Sequence, residues 1–420
     1  MTELSDLAPK EMGLSPEPTE PPSPRFDEGR LDEGRLDALI VCIGRTDIRQ
    51  SGVEQMNRAL RSQLDQSGVR HEWLDWENYT QTNRRGFFSF GGVRGAISTI
   101  THLAATCWRN RRTGTVVYFP LSQQGWGLAR DIVTAVVALA TGGPRRSTII
   151  HLHCEFRPEL QPRPWLARFC YALLARMPHT SFAANVRGLR FGGAESSFVP
   201  NRPQLPAAAR QARELPKSID PTVVFLGFVG PSKGFHVLMQ AFEGLSVPAK
   251  LVVVGPVFES LPIYEQRFCS AQEWQRVLSV MRGDERVESV GPIYGDERFS
   301  YLRRAWVCAV PSFTEGGCLV LQEALAVGTQ VVATRVGPLP EMLDESPGHR
   351  LVEANDPIGL RAAIEQCLEA GATEPLGVSE TYLAGGTTAF ELLAKESRRT
   401  PAQTLAGRRG KRVLSRTGSR

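Results

Sequence analysis

Between Pro311 and Gly328 the chain reads PSFTEGGCLVLQEALAVG, with Glu315 and Glu323 eight residues apart around the pair Gly316–Gly317. Eight residues of helix rise about 12 Å. Carboxylates that far apart cannot work as the acid and nucleophile of a retaining glycosidase, whose carboxyl groups sit ~5 Å apart. They can hold the two ends of a long polar ligand. The glycines let backbone amides approach that ligand closely. The helix starting there turns free N–H groups and its positive dipole end toward the same place, which suits a phosphate. Gly328 closes the helix. A nucleotide-sugar has the matching layout of sugar hydroxyls, diphosphate and ribose diol. Each glutamate also has a plainer reading: an exposed helix residue for Glu323, and an acid stabilising the helix dipole for Glu315. Together, in one strand–loop–helix segment, the two favour the ligand.

Such a loop needs a sheet behind it. Strands are expected at 38–43, 115–119, 148–152 and 180–184, with helices at 52–68, about 127–140 and 164–176. After a Pro-rich break at 201–221 the alternation restarts, with strands at 222–226, 250–254, 287–290, 306–310 and 330–333. Helices at 235–245, 270–282, 296–304 and 317–327 lie between them. Short β-branched runs alternating with helices mark parallel sheets covered on both faces. The expected fold class is α/β, with two facing doubly wound Rossmann-like domains and a ligand cleft between them. The divisions are a disordered leader at 1–36, a first domain at 37–205 and a second, donor-binding domain at 206–370. Terminal helices crossing back to the first domain follow at 371–394, then a basic disordered tail at 395–420.

Composition narrows the class. The chain has 420 residues, 42% hydrophobic and 22% charged, enough for two globular cores. Its eight cysteines form no CxxC pair, which argues against a zinc or redox motif and fits a reducing cytosol. The polar leader, with its near tandem FDEGRLDEGRLD, is no secretory signal. The longest apolar run, Ile132 to Ala140, is far short of the ~20 residues that span a bilayer. From Lys395 to Arg420 nine lysines and arginines stand against one glutamate. That tail is either a solvated extension or a tether to an anionic surface. The segment 164–177, apolar with arginines at intervals, is either a core-packed helix or a surface one.

The segment PSFTEGGCLVLQEALAVGTQVVATRVGPLPEML closely resembles the E-x7-E signature of the family-four retaining glycosyltransferases, which have the GT-B fold. FLGFVGPSKGFHVLMQAF at 225–242 is similar to the family's strand–loop–Lys–Gly–helix element. More weakly, HLH ending in His153 and VPN ending in Asn201 resemble first-domain elements, and the likeness covers about 37–394. The resemblance implies transfer of a sugar from a nucleotide-sugar to a polysaccharide or lipid-linked acceptor with retained anomeric configuration. It implies that Glu315 bonds hydroxyls of the transferred sugar and that Lys233 neutralises the diphosphate. His153 would orient the donor sugar, although a satisfied core histidine is the other reading, since His151 lies two residues earlier on the same strand face. Gly230, Gly316, Gly317 and Cys318 would line the donor, and Glu323 would hold the ribose diol. No metal or other cofactor is implied, no nucleic acid is a partner, and the setting is cytoplasmic, with contact to the inner face of an anionic membrane.

Two departures stand out. The family carries an arginine five residues before the lysine, and here that position is Phe228. Arg45, Arg49 and Arg335 are the substitutes to consider. The loop after Cys42 offers Gly52 where the family tends to have a closely spaced glycine pair. Phe228 therefore keeps a second reading open, a catalytically degenerate relative that binds a nucleotide-sugar or a partner without turnover. An epimerase-like or phosphorylase-like GT-B enzyme fits the E-x7-E segment less closely. A dinucleotide-dependent dehydrogenase fits worst, because no GxGxxG follows the first strand of either domain.

Overall fold

Runs such as LIVCI, TVVFL and QVVAT place β-branched and aliphatic side chains on both faces of a strand, so each strand needs cover above and below. The computed structural model describes residues 38–46, 52–76, 90–122, 125–153, 164–191, 194–201, 207–262, 265–343, 349–371 and 386–398. The leader, most of the tail, Arg49, Glu77 and Cys154 lie outside them.

The first domain runs β1 (Leu39–Ile43), α1 (Gly52–Gln66), β2 (His71–Leu74), α2 (Phe90–Arg109), β3 (Thr115–Pro120), α3 (Gly125–Thr141), β4 (Arg146–Leu152), α4 (Pro164–Arg176) and β5 (Thr180–Ala184). A small antiparallel pair, β6 (Arg190–Phe191) and β7 (Ala194–Glu195), precedes β8 (Ser197–Phe198). All neighbours in its six-stranded sheet, β2-β1-β3-β4-β5-β8, are parallel. Helices α2, α3 and α4 cover one face, through Leu103, Leu128, Ala135, Tyr171 and Leu174.

The second domain begins with α5 (Ala207–Ala212) and β9 (Thr222–Leu226), then a 3-10 turn at Pro231–Lys233 and α6 (Phe235–Glu243). It continues through β10 (Lys250–Val254), α7 (Ala271–Gly283), β11 (Val287–Gly291), α8 (Arg298–Arg304), β12 (Val307–Val310), α9 (Leu319–Ala326), β13 (Gln330–Thr334), α10 (Leu339–Met342), β14 (His349–Val352) and α11 (Pro357–Glu369). Its sheet order, β11-β10-β9-β12-β13-β14, is again all parallel and is the doubly wound Rossmann order. The last described helix, α12 (Ala389–Ser397), opens with a Thr388–Glu391 capping box. It returns to the first domain, where Leu392 and Leu393 join Ile40, Leu60 and Tyr118 on the face opposite α2–α4.

The strand and helix expectations hold to within two or three residues, but β2, α2, β14 and α11 were not anticipated. Helix α2 opens with Gly91 and Gly92 and is rich in Ile and Thr, poor helix formers that tertiary packing overrides. Strands β2 and β14 are four residues each, too short to show a period. Helix α9 starts at Leu319, two residues later than expected, which leaves both glycines in the loop.

Candidate active site

In the second sheet β9 and β12 are neighbours at the point where the strand order reverses, where ligands of doubly wound sheets bind. The loop after β9 carries Lys233 and the loop after β12 carries Glu315. They meet there, with Lys233 Nζ donating to Glu315 Oε1 at 2.6 Å. The approach depends on Gly234, at φ 68°, where a Cβ would overlap the Pro311 carbonyl oxygen. Glu315 is buried and held from several sides. Ser312 Oγ donates to the same Oε1 at 2.7 Å. Thr334 Oγ1 in turn donates to the Ser312 carbonyl at 2.6 Å. The Lys233 side chain keeps 37% of its exposure against 9% for Glu315, so the ammonium sits at the edge of the cleft.

Helix α9 begins beside this pair. Its N-cap, Cys318, makes no side-chain cap bond, whereas Ser270 and Asp356 cap α7 and α11 in the ordinary way. Burial pushes the Cys318 thiol well above its usual range, which makes it a poor nucleophile. Glu323 lies one side of α9 at 2% exposure. Arg298 at the start of α8 grips it, with Nε at 3.1 Å and Nη2 at 2.8 Å from Glu323 Oε1. Burial raises the Glu323 carboxyl and the guanidinium opposes that rise. Nothing in the sequence pattern announces Arg298 as its partner 25 residues away.

The first domain reaches the same loop through a chain of polar side chains. Tyr118 OH lies 2.6 Å from His151 Nδ1, and His151 Nε2 lies 2.8 Å from Asn185 Oδ1. Asn185 Nδ2 donates to Asn201 Oδ1 at 2.9 Å, and Asn201 Nδ2 to the carbonyl of Gly317 at 2.9 Å. The directions agree if the imidazole is neutral, with the tyrosine donating to Nδ1 and Nε2–H donating to the amide. Burial lowers His151 to about 4, consistent with that form. His153 lies against His151 with ring centroids 3.9 Å apart and planes tilted by 31°. Its own pKa is held well below the usual value, chiefly by burial and then by His151. Asn185 donates to the His153 carbonyl at 3.3 Å, while His153 Nε2 is buried with no partner among the described residues. His153 thus keeps one ring nitrogen without a hydrogen-bond partner among the described residues.

The Phe228 departure has a packing explanation. Its ring stacks on Phe258 at 5.2 Å between centroids, and a Cβ on Gly230 would press to 2.7 Å from the Phe258 ring. Buried Glu265 braces the loop by accepting from Ser232 N at 2.6 Å and Ser232 Oγ at 2.7 Å. The suggested replacement cations are engaged elsewhere, Arg45 with Glu54 at 3.6 Å and Arg335 with Glu353 at 3.7 Å. Gly52 stands against Leu319 of α9, its would-be Cβ 3.1 Å from the leucine methyl. Asp75 accepts from Thr46 N at 3.2 Å and so ties the loops after β1 and β2. Among the described residues no cluster of His, Cys, Asp and Glu is placed to hold a metal ion.

The buried histidines set a pH dependence. His151 and His236 are each lowered to about 4. The unfolded chain therefore takes up these protons first, and the stability they contribute, present above about pH 6.5, is lost as pH falls toward 4. For His151 alone this amounts to roughly 3 kcal/mol. Thermal unfolding from pH 7 to 4.5 should show a falling Tm, with a shallower fall in His151→Gln. Parallel curves would contradict the assignment.

Two six-stranded parallel sheets, with a terminal helix returning to the first, make this the two-domain α/β fold of GT-B glycosyltransferases. Residues 220–370 match the family model of Glycosyl transferases group 1. Among curated proteins, the D-inositol 3-phosphate glycosyltransferase of Corynebacterium efficiens is 36% identical over 159 residues, 36% of this chain and 35% of that protein. That of Corynebacterium urealyticum is 31% identical over 196 residues, 45% and 44% of the two chains. The match thus spans less than half the length of these relatives. Among solved structures, sucrose-phosphate synthase from Thermosynechococcus elongatus has a TM-score of 0.58 at 17% identity, over 90% of this chain and 99% of that one. Anabaena HepE in complex with UDP and glucose has a TM-score of 0.54 at 16% identity, over 90% and 99%. At such identities the likeness speaks for the fold alone.

Proposed function

We propose that the protein transfers a sugar from a nucleotide-sugar to a polysaccharide or lipid-linked acceptor, with retention of anomeric configuration. The observation that carries this reading is the Lys233–Glu315 pair at the switch point, 2.6 Å apart beside the uncapped start of α9. In this reading Glu315 bonds sugar hydroxyls, Lys233 and the α9 amides take the diphosphate, and Glu323, steadied by Arg298, takes the ribose diol. Gly230, Gly316 and Gly317 give the backbone room beside the donor, and His153 offers Nε2 to the sugar. The departing diphosphate gains negative charge as the glycosidic bond breaks, and a fixed cation with a helix end stabilises it. With the Cys318 thiol protonated and Glu315 tied to a lysine, the cluster favours attack by the acceptor on the face the diphosphate leaves. No metal is called for. The seven described cysteines are free, in keeping with a reducing cytoplasmic setting.

A screen of UDP-, GDP- and ADP-sugars by calorimetry, with NMR of the product anomer, tests the reading. Glu323→Gln should raise the donor KM about 10- to 100-fold, the size of a lost charge-assisted hydrogen bond; an unchanged KM would remove Glu323 from the site. Phe228 favours a second reading, a protein that binds a nucleotide-sugar without turnover. Donor binding with no product, and turnover gained in Phe228→Arg, would select it.

A further inference from the structure

Among the described residues eleven large hydrophobic side chains are exposed, and eight of them lie on α2, α3 and α4. These three helices form one layer over a single face of the first sheet. On α4, Trp165, Phe169 and Leu173 follow at i, i+4 and i+8, with Trp165 69% and Phe169 62% exposed. Val133 and Val136 continue the strip on α3, and Ile97, 59% exposed, carries it onto α2. The inward stripes of the same helices are already spent on the core. The outward face is therefore a second apolar stripe, which an isolated soluble helix layer has no reason to keep.

Its charge has one sign. Arg94 and Arg109 on α2, and Arg168 and Arg176 on α4, are exposed. The single acid in the three helices, Asp131, is fully buried and bonded to Ser122 and Arg130. Arginines rimming aromatic and aliphatic side chains, with no exposed acid among them, complement an anionic lipid surface, where the guanidinium reaches the phosphates while its stem lies on the acyl boundary.

We propose that the outer face of α2–α3–α4 docks on an anionic bilayer. In a parallel sheet with crossover helices, the helix N-termini stand at the carboxyl end of the strands. Arg94, Ile97, Trp165, Arg168 and Phe169 thus gather at the end where the cleft opens. A glycan acceptor carried on a lipid in the same leaflet is delivered to the first-domain side of that cleft. The acceptor class rests on the glycosyltransferase reading; the docking itself does not.

Sedimentation of the full chain with phosphatidylcholine vesicles, with and without phosphatidylglycerol, tests this. The chain should bind the anionic vesicles and lose binding as salt rises. Trp165→Ser/Phe169→Ser should weaken binding at least tenfold, and Arg94→Glu/Arg168→Glu by at least the roughly fivefold expected per lost cation. Replacing the six lysines and arginines from Arg408 to Arg420 by serine should keep most of it. Calorimetric donor binding should be the same in all variants, so a failed donor reading and a failed docking surface give different results. The altered side chains are exposed, and an unchanged Tm confirms that each variant is folded. Unchanged sedimentation in both double variants, loss of binding with the serine tail alone, or no binding by the parent chain would overturn the proposal. So would a dimer dissociated by Trp165→Ser/Phe169→Ser, which would assign the face to a second copy.

Discussion

Lys233→Ala is expected to lower kcat for sugar transfer by about 10²- to 10³-fold, the cost of removing one preorganised donor from a developing anion. The fold should survive. Glu315 loses its cation but keeps the Ser312 hydroxyl bond at 2.7 Å, and the loop carrying Lys233 remains braced by Glu265 on Ser232. The loss should therefore appear in turnover, with Tm shifted by no more than a few degrees. Lys233→Arg should recover only part of it, because a planar guanidinium cannot repeat the ammonium's approach to a carboxylate fixed at 2.6 Å. Turnover within twofold of the parent in Lys233→Ala would take the lysine out of the chemistry.

Gly317→Ala should break the contact between the first domain and the loop before α9. Gly317 has φ 153°, where side chains are rarely tolerated, and a Cβ there would lie 2.6 Å from Asn201 Nδ2. The change strains the loop at a cost of about 1–3 kcal/mol. It also displaces the amide that donates to the Gly317 carbonyl, and so uncouples the first domain from the donor loop. Asn201→Ala alone leaves that carbonyl and Asn185 short of a partner, for about 1–3 kcal/mol. The two changes share a contact, so their effects should not add. In the double variant the 2.6 Å overlap is relieved, leaving the backbone strain and a tighter 3.1 Å approach between the two Cβ atoms, and a double-mutant cycle on unfolding free energy should give a coupling of about 0.5–3 kcal/mol. Strict additivity would mean the two residues do not meet in solution.

Much of this was readable in the residues. Strands such as TVVFL and KLVVV announce themselves because a doubly covered strand must be apolar on both faces. The loops after β9 and β12 could be matched because a glycine and a charged residue just beyond a strand are local features. Lys233, Glu315 and Glu323 thus came from the sequence, as did His153. Their actual partners did not. Arg298 on Glu323, and Asn185 between His151 and Asn201, are brought in by topology from 25, 34 and 16 residues away, and neither follows a periodicity. The exposed stripe on α2–α4 was half legible: segment 164–177 was singled out, yet its inward residues Tyr171 and Leu174 are core while Trp165 and Phe169 are not. One face of that helix packs on the core and the other is exposed.

The most direct measurement is the structure of the full chain with an intact nucleotide-sugar bound. The diphosphate is expected within hydrogen-bond distance of Lys233 Nζ and the first amides of α9, the ribose hydroxyls on Glu323, and the sugar between Glu315 and His153. A donor lodged outside this cleft, or one whose phosphates lie away from Lys233 and α9, would contradict it.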